Sequence, residues 1–234
     1  MVNYNVIKWN KLKHRLYDET VDSLKVRVNR QGSYVGYINK KIILYFCKKI
    51  EINENGGYYM TKFYFIRHGE TDFTLADTKI YKNWGFNMLP LSNKGVEQIK
   101  ATAKDKRLKS AKIIVTSPYG RAMHSAAIIS KELGIDLVVE TNLHEWVANK
   151  DYNYIPDDEA KENLKEFFKN DGEKSNDPKY NYETANSMKD RVCLVLEKYK
   201  NYDEVIIVCH GLLMERFLDV REVANGELVE YILE

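Results

Sequence analysis

The feature of this chain that most constrains its fold is a set of short apolar runs, each followed by charged or polar residues. The first run, residues 62–66, is rich in aromatic side chains and leads directly into Arg67-His68-Gly69. An apolar run of this length predicts a buried strand. Ligands of open α/β sheets bind beyond the carboxyl ends of the strands. The sequence therefore places an arginine and a histidine together where a ligand of such a sheet would bind.

Three further apolar runs repeat this arrangement. The runs and the polar residues that follow them are 113–115 with Arg121, 137–139 with His144-Glu145, and 205–209 with His210-Gly211. Between the runs, apolar residues recur at helical spacing, as at Val96 and Ile99 after the candidate cap Ser92. Strands that alternate with helices predict an α/β fold, in which a mostly parallel sheet is covered by helices on both faces.

The remaining elements are predicted from spacing and turn residues. Helices are expected over residues 121–133, 158–169 and 183–199, and a closing strand over Leu228–Leu233. Residues 170–182 are polar and contain Gly172 and Pro178, which predicts a loop. Residues from about 146 to 182 form the longest excursion between strands, so they are expected to lie over the site as a lid insert. The aromatic residues of this insert serve either as packing or as substrate contacts; they include Trp146, Tyr152, Tyr154 and Phe167.

The composition excludes several classes of protein. The 234 residues carry 36 Lys and Arg against 34 Asp and Glu, and no apolar run approaches the length of a membrane span. No signal peptide is apparent, since residues 1–10 lack its apolar stretch and cleavage site. Three cysteines, an odd number without paired or zinc spacing, argue against a disulfide framework. These features predict a protein of the reducing cytoplasm that has no membrane partner.

Residues 1–59 differ from the rest of the chain. They carry eleven Lys and Arg against five Asp and Glu, but the charges are scattered and favour a solvated surface over a nucleic-acid site. Alternating residues predict a small β-meander with strands over 24–28, 33–38 and 41–46. A second interpretation is that Gly56-Gly57 translates a ribosome-binding sequence and that Met60 is the natural start. Residues 1–59 are therefore either a genuine extension or translated upstream DNA, ahead of a domain over 60–234.

The residue types that follow the strands suit phosphate chemistry. Arginine presents a planar fork of donors to phosphate oxygens, and an imidazole can form a covalent intermediate. The phosphoglycerate-mutase-like proteins of the histidine phosphatase superfamily have a similar set in the same order, which here is Arg67-His68-Gly69, Arg121, Glu145 and His210. The resemblance extends from about Lys62 to the C-terminus and implies the same α/β fold.

The resemblance implies a role for each matched residue. His68 is expected to be the nucleophile, with one ring nitrogen held by a backbone acceptor so that the other can attack phosphorus. Glu145 is expected to act as general acid and then as general base. No cofactor and no metal ion are implied. The residues expected to bind phosphate are Arg67, Arg121, His210 and Thr74, the last at a position where the family often has Asn.

Two alternatives compete with these assignments. Glu70 lies close to the nucleophile in sequence, but the family uses this position mainly to organise the motif loop, so Glu145 is preferred as the acid. The segment from Cys209-His210 to Arg216 faintly resembles the loop of the cysteine phosphatases. There the order of Cys and His is the reverse, and the spacing from Cys209 to Arg216 is one residue too long. Cys209 is therefore interpreted as the last residue of a buried strand.

The expected activity is that of a broad-specificity phosphatase, which hydrolyses a small phosphorylated metabolite. A phosphoglycerate mutase is the nearest alternative, although the insert at 146–182 is mixed in charge and the chain from Met60 is short for one. A catalytically inactive relative that only binds phosphorylated ligands is an alternative from a different class, and the complete set of matched residues argues against it. The sequence predicts no nucleic-acid partner, and it indicates neither the specific substrate nor the oligomeric state.

Overall fold

The structure, a computed structural model, describes residues 25–28, 34–38, 41–45 and 61–233. The chain divides into two units, Met1–Gly56 and Gly57–Glu234. This division lies close to position 60, where the sequence predicts that the second domain begins. Whether the first unit belongs to the natural protein stays a prediction.

The first unit contains a three-stranded antiparallel meander. Its strands are β1 (Lys25–Val28), β2 (Tyr34–Ile38) and β3 (Lys41–Tyr45), which are hydrogen-bonded in the order β1-β2-β3. Gly36 in the central strand is paired with Val26 on one side and with Ile43 on the other. These strands match the three that the alternating sequence predicts.

The second unit is built around a five-stranded sheet with the strand order β6-β5-β7-β4-β8. Strands β4 to β7 run parallel to one another, and β8 is antiparallel to β4. The strands are β4 (Thr61–Arg67), β5 (Ile113–Thr116), β6 (Leu137–Val139), β7 (Glu204–Cys209) and β8 (Leu228–Leu233). The predicted α/β fold with a mostly parallel sheet is confirmed.

Helices connect these strands and cover both faces of the sheet. Within residues 61–233 the α-helices are α1 (Asn93–Thr102), α2 (Gly120–Leu133), α3 (Asp157–Lys169), α4 (Ala185–Tyr199) and α5 (Gly211–Leu218). Short 3-10 helices lie at Phe73–Leu75, Lys79–Tyr81, Asn83–Met88, Lys106–Ser110 and Thr141–Leu143. No helix in this described part of the chain combines the length and the apolar character needed to cross a membrane.

Successive side chains of β4 belong to two different hydrophobic cores, because neighbouring residues of a strand face opposite sides of the sheet. Phe63 and Phe65 pack in one core with residues of α4 and α5. Tyr64 and Ile66 pack in the other core with residues of α1 and α2. Strand β4 is thus buried on both faces of the sheet, which explains why its sequence reads as a nearly continuous apolar run.

The helix ends follow from local capping. Ser92 accepts a hydrogen bond from the amide of Gly95 at 3.1 Å and starts α1, as predicted. Gly134 ends α2 in the left-handed conformation, with φ of +66°, which glycine adopts without steric cost. Helix α4 begins at Ala185 and not at the predicted residue 183, because the hydroxyl of Thr184 caps it through the amide of Ser187.

The insert between β6 and α4 carries α3 and packs against the helices that follow it. Phe167, Tyr182 and Met188 form a third, smaller core, on which Trp146 and Leu212 pack. Leu212 belongs to α5, the helix that directly follows β7. The insert therefore contacts the part of the domain that lies just beyond the end of β7.

Candidate active site

The parallel strands bring the predicted site residues together at their carboxyl ends. In the register of the sheet, Arg67 is paired with Cys209, the last residue of β7. The next residues along, His68 and His210, have ring centroids 5.2 Å apart. Arg121, near the start of α2, donates from Nε to His68 Nε2 at 3.2 Å. Four residues from three separate segments thus meet at this edge of the sheet.

His68 is held as a neutral imidazole with one nitrogen directed at Arg121. Its Nδ1 lies 2.7 Å from the carbonyl oxygen of Gly69, so Nδ1 carries the proton and donates it there. Burial, together with the nearby charges of Arg121 and Arg67, lowers the pKa of His68 to about 3. Nε2 therefore keeps its lone pair at neutral pH, which is the form a nucleophile needs.

Arg67 is fixed on one side and unpaired on the other. Its Nη1 donates to the carbonyl of Val223 at 2.5 Å. Its Nε is buried and has no hydrogen-bond partner among the described residues. The guanidinium lies against Gly211, where a Cβ atom would come within 3.1 Å of Arg67 Cζ. The glycine after His210 thus leaves room for the arginine.

His210 is completely buried next to His68 and also has an unpaired ring nitrogen. Its Nε2 lies 2.7 Å from the hydroxyl oxygen of Ser117. The same oxygen accepts from the amide of Tyr119 at 3.3 Å. Donation of the hydroxyl proton to Nε2 would place the ring proton on Nδ1. Nδ1 has no partner within the described residues. Burial and the charge of Arg121 hold the pKa of His210 well below its usual value, so the ring is neutral.

Arg121 provides a partly buried positive charge, and no carboxylate of the described residues forms an ion pair with it. Its guanidinium lies over the ring of Tyr119, with Cζ 4.9 Å from the ring centroid. Burial lowers the pKa of Arg121, and the more distant charge of Glu145 partly opposes that effect. A partly buried cation beside two unpaired nitrogen atoms is an arrangement that suits an anion with several acceptor oxygens.

The Glu145 carboxylate lies against the N-terminal end of α5. Its Oε1 accepts from the amides of Trp146 at 2.9 Å and Leu213 at 3.0 Å, and its Oε2 accepts from the amide of Leu212 at 3.2 Å. Burial raises the pKa of Glu145, against the effects of these amides and of Arg121, which lower it. A raised carboxyl pKa suits a group that must give up a proton near neutral pH.

The rival carboxylate, Glu70, is engaged elsewhere. Its Oε2 accepts from Lys94 at 2.7 Å and its Oε1 from Ser92 at 2.9 Å. These bonds lower the pKa of Glu70, and the bond from Lys94 has the largest effect. Its own amide donates to Gln98 at 2.8 Å. Glu70 therefore joins the motif loop to the start of α1, and a lowered pKa is the wrong direction for a general acid.

Thr74, expected to bind phosphate, is exposed and bonds locally. Its hydroxyl donates to Asp72 Oδ1 at 2.5 Å and its amide donates to the same oxygen at 3.0 Å. In the described part of the chain, no hydrogen bond joins it to the other predicted site residues. Its role in phosphate binding stays a prediction.

The cysteine phosphatase alternative finds no support in the environment of Cys209. The side chain is fully buried as the last residue of β7. Burial raises the pKa of its thiol far above the usual value, so the thiolate that such an enzyme needs is disfavoured.

Two of the aromatic lid residues pack and two are exposed. Trp146 contacts Phe167, with ring centroids 5.4 Å apart, and Phe167 has no exposed surface. Tyr152 and Tyr154 are exposed, and the hydroxyl of Tyr152 lies 3.0 Å from His144 Nε2.

Several residues that complete the site were not identified from the sequence. Asn225 donates from its side chain to the carbonyl of His68 at 2.9 Å. Ser117 positions His210, and the strand-end rule could have found it because it directly follows β5. Arg191 and Glu183 form a buried ion pair beside the Glu145 segment.

No group of three or more His, Cys, Asp or Glu residues that could hold a metal ion occurs within the described ranges.

Comparisons with known proteins show which sequences this chain resembles. The family profile of the histidine phosphatase superfamily (branch 1) matches residues 63–222. The chain is 31% identical over 172 residues to the "uncharacterized phosphatase PhoE" of Bacillus subtilis (strain 168), a match that covers 72% of this chain and 80% of that protein. It is 31% identical over 86 residues to the "probable phosphoglycerate mutase GpmB" of Photorhabdus laumondii, covering 37% of this chain and 38% of that protein.

Solved structures share the fold. A phosphoglycerate mutase from Bacillus anthracis str. Sterne aligns with a TM-score of 0.55 at 18% identity, covering 75% of this chain and 88% of that chain. A mycobacterial glucosyl-3-phosphoglycerate phosphatase in complex with VO3 aligns with a TM-score of 0.54 at 18% identity, covering 73% and 90%. At these identities the likeness concerns the fold alone.

Proposed function

This chain belongs to the histidine phosphatase superfamily (branch 1), and on that premise we propose that it hydrolyses small phosphomonoesters through a phosphohistidine formed on His68. The similarity to the uncharacterized phosphatase of Bacillus subtilis supports phosphatase activity. The geometry of the site supports His68 as the residue that forms the intermediate. The substrate class is a small phosphorylated metabolite, and the expected compartment is the cytoplasm.

The observation that carries the proposal is a pair of buried, unpaired nitrogen atoms beside a neutral imidazole. Arg67 Nε and His210 Nδ1 have no partner in the described part of the chain. Buried polar atoms are nearly always hydrogen-bonded, so such atoms call for a ligand that supplies acceptors. A phosphoryl group has three charged oxygens and would supply them at once. Binding of the substrate would thus give a hydrogen-bond partner to each of these two nitrogen atoms.

In the first step, His68 Nε2 attacks phosphorus and forms an N–P bond, while the P–O bond to the alcohol breaks. Arg121 Nε–H, which otherwise donates to this nitrogen at 3.2 Å, turns to a phosphoryl oxygen. Arg67 and Arg121 balance the charge on the transferring group, and catalysis is mainly positioning and electrostatic stabilisation. The departing alkoxide takes a proton from Glu145.

In the second step, water attacks the phosphohistidine from the side that the alcohol has left. Glu145, now ionised, accepts a proton from that water as the O–P bond forms and the N–P bond breaks. Inorganic phosphate leaves, and both His68 and Glu145 return to their starting protonation states. Because Gly69 holds the proton on Nδ1 throughout, the same nitrogen of His68 serves as nucleophile and leaving group.

The test is a screen of the purified chain against phosphorylated metabolites in the presence of a chelator, with His68→Ala as the control. Release of inorganic phosphate that His68→Ala abolishes, and that chelation leaves unchanged, is expected. Conversion of 3-phosphoglycerate to its 2-isomer without phosphate release would indicate the mutase alternative instead. Binding of phosphate esters without any turnover would indicate an inactive relative.

A further inference from the structure

Arg191, in the middle of α4, forms a buried ion pair with Glu183. Its Nε donates to Glu183 Oε1 at 2.7 Å, and its Nη2 donates to Oε2 at 3.0 Å. The two side chains are only 9% and 4% exposed. A two-bonded pair of this kind fixes the plane of the guanidinium as well as its position.

The remaining donors of the same guanidinium bind the backbone of the segment that carries Glu145. Nη1 donates to the carbonyls of Asn142 at 2.6 Å and His144 at 2.7 Å. Nη2 also lies 3.4 Å from the carbonyl of Glu145 itself. One planar side chain thus joins residues 142–145 to α4. A lysine ammonium, as a point charge on a flexible stem, could not hold the carboxylate and these carbonyls together.

Glu183 adds bonds on the other side of Glu145. Its backbone amide donates to the carbonyl of Val147 at 3.0 Å, and its carbonyl accepts from Trp146 Nε1 at 2.8 Å. The backbone is therefore held both before and after Glu145, while α5 amides hold the carboxylate. Two different helices, α4 and α5, determine where this carboxyl group lies.

We propose that Arg191 and Glu183 are positioning residues for Glu145, an inference that rests on the proposed role of Glu145 as general acid. Proton transfer requires the acid within hydrogen-bond reach of the leaving oxygen, and a misplacement of about 1 Å can cost about 100-fold in rate. A buried ion pair is by itself weak evidence for stability. The carbonyl bonds of Arg191, in contrast, all converge on the segment around one residue.

The experiment compares kcat on an alkyl ester, glycerol phosphate, with kcat on 4-nitrophenyl phosphate, whose leaving group departs with little help from an acid. The variants are Arg191→Lys, Glu183→Gln, Glu145→Gln and the double variant of Glu145→Gln with Arg191→Lys. Val195→Ala is the matched control, because Val195 is buried on the same helix α4 but packs in the core of the sheet. Arg191→Lys keeps a positive charge beside Glu183 and so favours folding.

We expect Arg191→Lys and Glu183→Gln to lower kcat on glycerol phosphate about 10-fold or more. Their effect on kcat with 4-nitrophenyl phosphate should be less than about 3-fold. Within the Glu145→Gln background, Arg191→Lys should cause almost no further loss on glycerol phosphate, because both changes remove the same function. Val195→Ala should leave the ratio of the two rates unchanged.

Equal losses on both esters, or a further loss of about 10-fold in the double variant, would overturn the positioning role. So would a lower melting temperature for Arg191→Lys with the wild-type ratio of rates. If Glu145→Gln itself affects both esters equally, the assignment of the general acid fails, and that result is distinct from a failure of the Arg191 inference alone.

Discussion

Replacing His68 with alanine should change the pH dependence of stability, by an amount that follows from the buried imidazole. The pKa of His68 is about 3 in the folded chain against 6.5 for an unperturbed histidine, because burial and Arg121 disfavour the charged ring. Between these two values the unfolded chain binds a proton at this position and the folded chain does not. The stability of the wild type therefore falls as the pH decreases from 6.5 towards 3.

At pH 5 the neutral buried ring lowers the stability of the wild type by about 2 kcal/mol, since pH 5 lies about 1.5 units below the pKa of the unfolded state and each unit is worth about 1.4 kcal/mol. At pH 8 this penalty is absent. Alanine does not titrate, and the cavity that it leaves costs the same at both pH values. Relative to the wild type, His68→Ala should therefore be about 2 kcal/mol more stable at pH 5 than at pH 8.

Urea unfolding followed by circular dichroism at pH 5 and pH 8 measures this difference. Val195→Ala is a suitable control, because Val195 is fully buried and neither side chain titrates. Its loss of stability should be the same at the two pH values. If His68→Ala changes the free energy of unfolding by the same amount at pH 5 as at pH 8, the conclusion that His68 is buried as a neutral ring is wrong.

Three other predictions concern activity. Glu145→Gln should slow alkyl esters by about 10²–10⁴-fold and phenolic esters much less, as measured by kcat on both; equal losses would count against its role as acid. Glu70→Gln should cost far less than Glu145→Gln on alkyl esters, because Lys94 and Ser92 already engage that carboxylate; a larger loss would exchange the two roles. A chain that begins at Met60 should fold and keep full activity, whereas insolubility or a much lower melting temperature would show that residues 1–59 are structurally required.

The elements that deliver the site could be predicted from the sequence because each depends on local patterns. The buried strand over residues 62–66 is an apolar run, and Arg67-His68 follows it directly, so the strand end and the site coincide in sequence as in space. The cap at Ser92 and the stop at Gly134 likewise depend on single residue types with a defined conformational role.

Contacts between distant segments could not be predicted in this way. Val223 and Asn225 bind the backbone and side chain of the first motif from more than 150 positions away, and nothing in their own sequence marks them. Arg191 lies in the middle of α4 and Glu183 just before it, and only the packing of α4 against the 142–147 segment buries these two charges. Burial of a charge is a tertiary property, so its functional meaning appears only in the fold.

The identity of the phosphorylated residue tests the account most directly. Wild-type chain is mixed with substrate, quenched within milliseconds in alkali to preserve a phosphohistidine, digested and analysed by mass spectrometry, with His68→Ala in parallel. The account predicts an acid-labile phosphate on the peptide that contains His68 and none in the variant. Phosphate on Cys209, or turnover by His68→Ala at the wild-type rate, would contradict it.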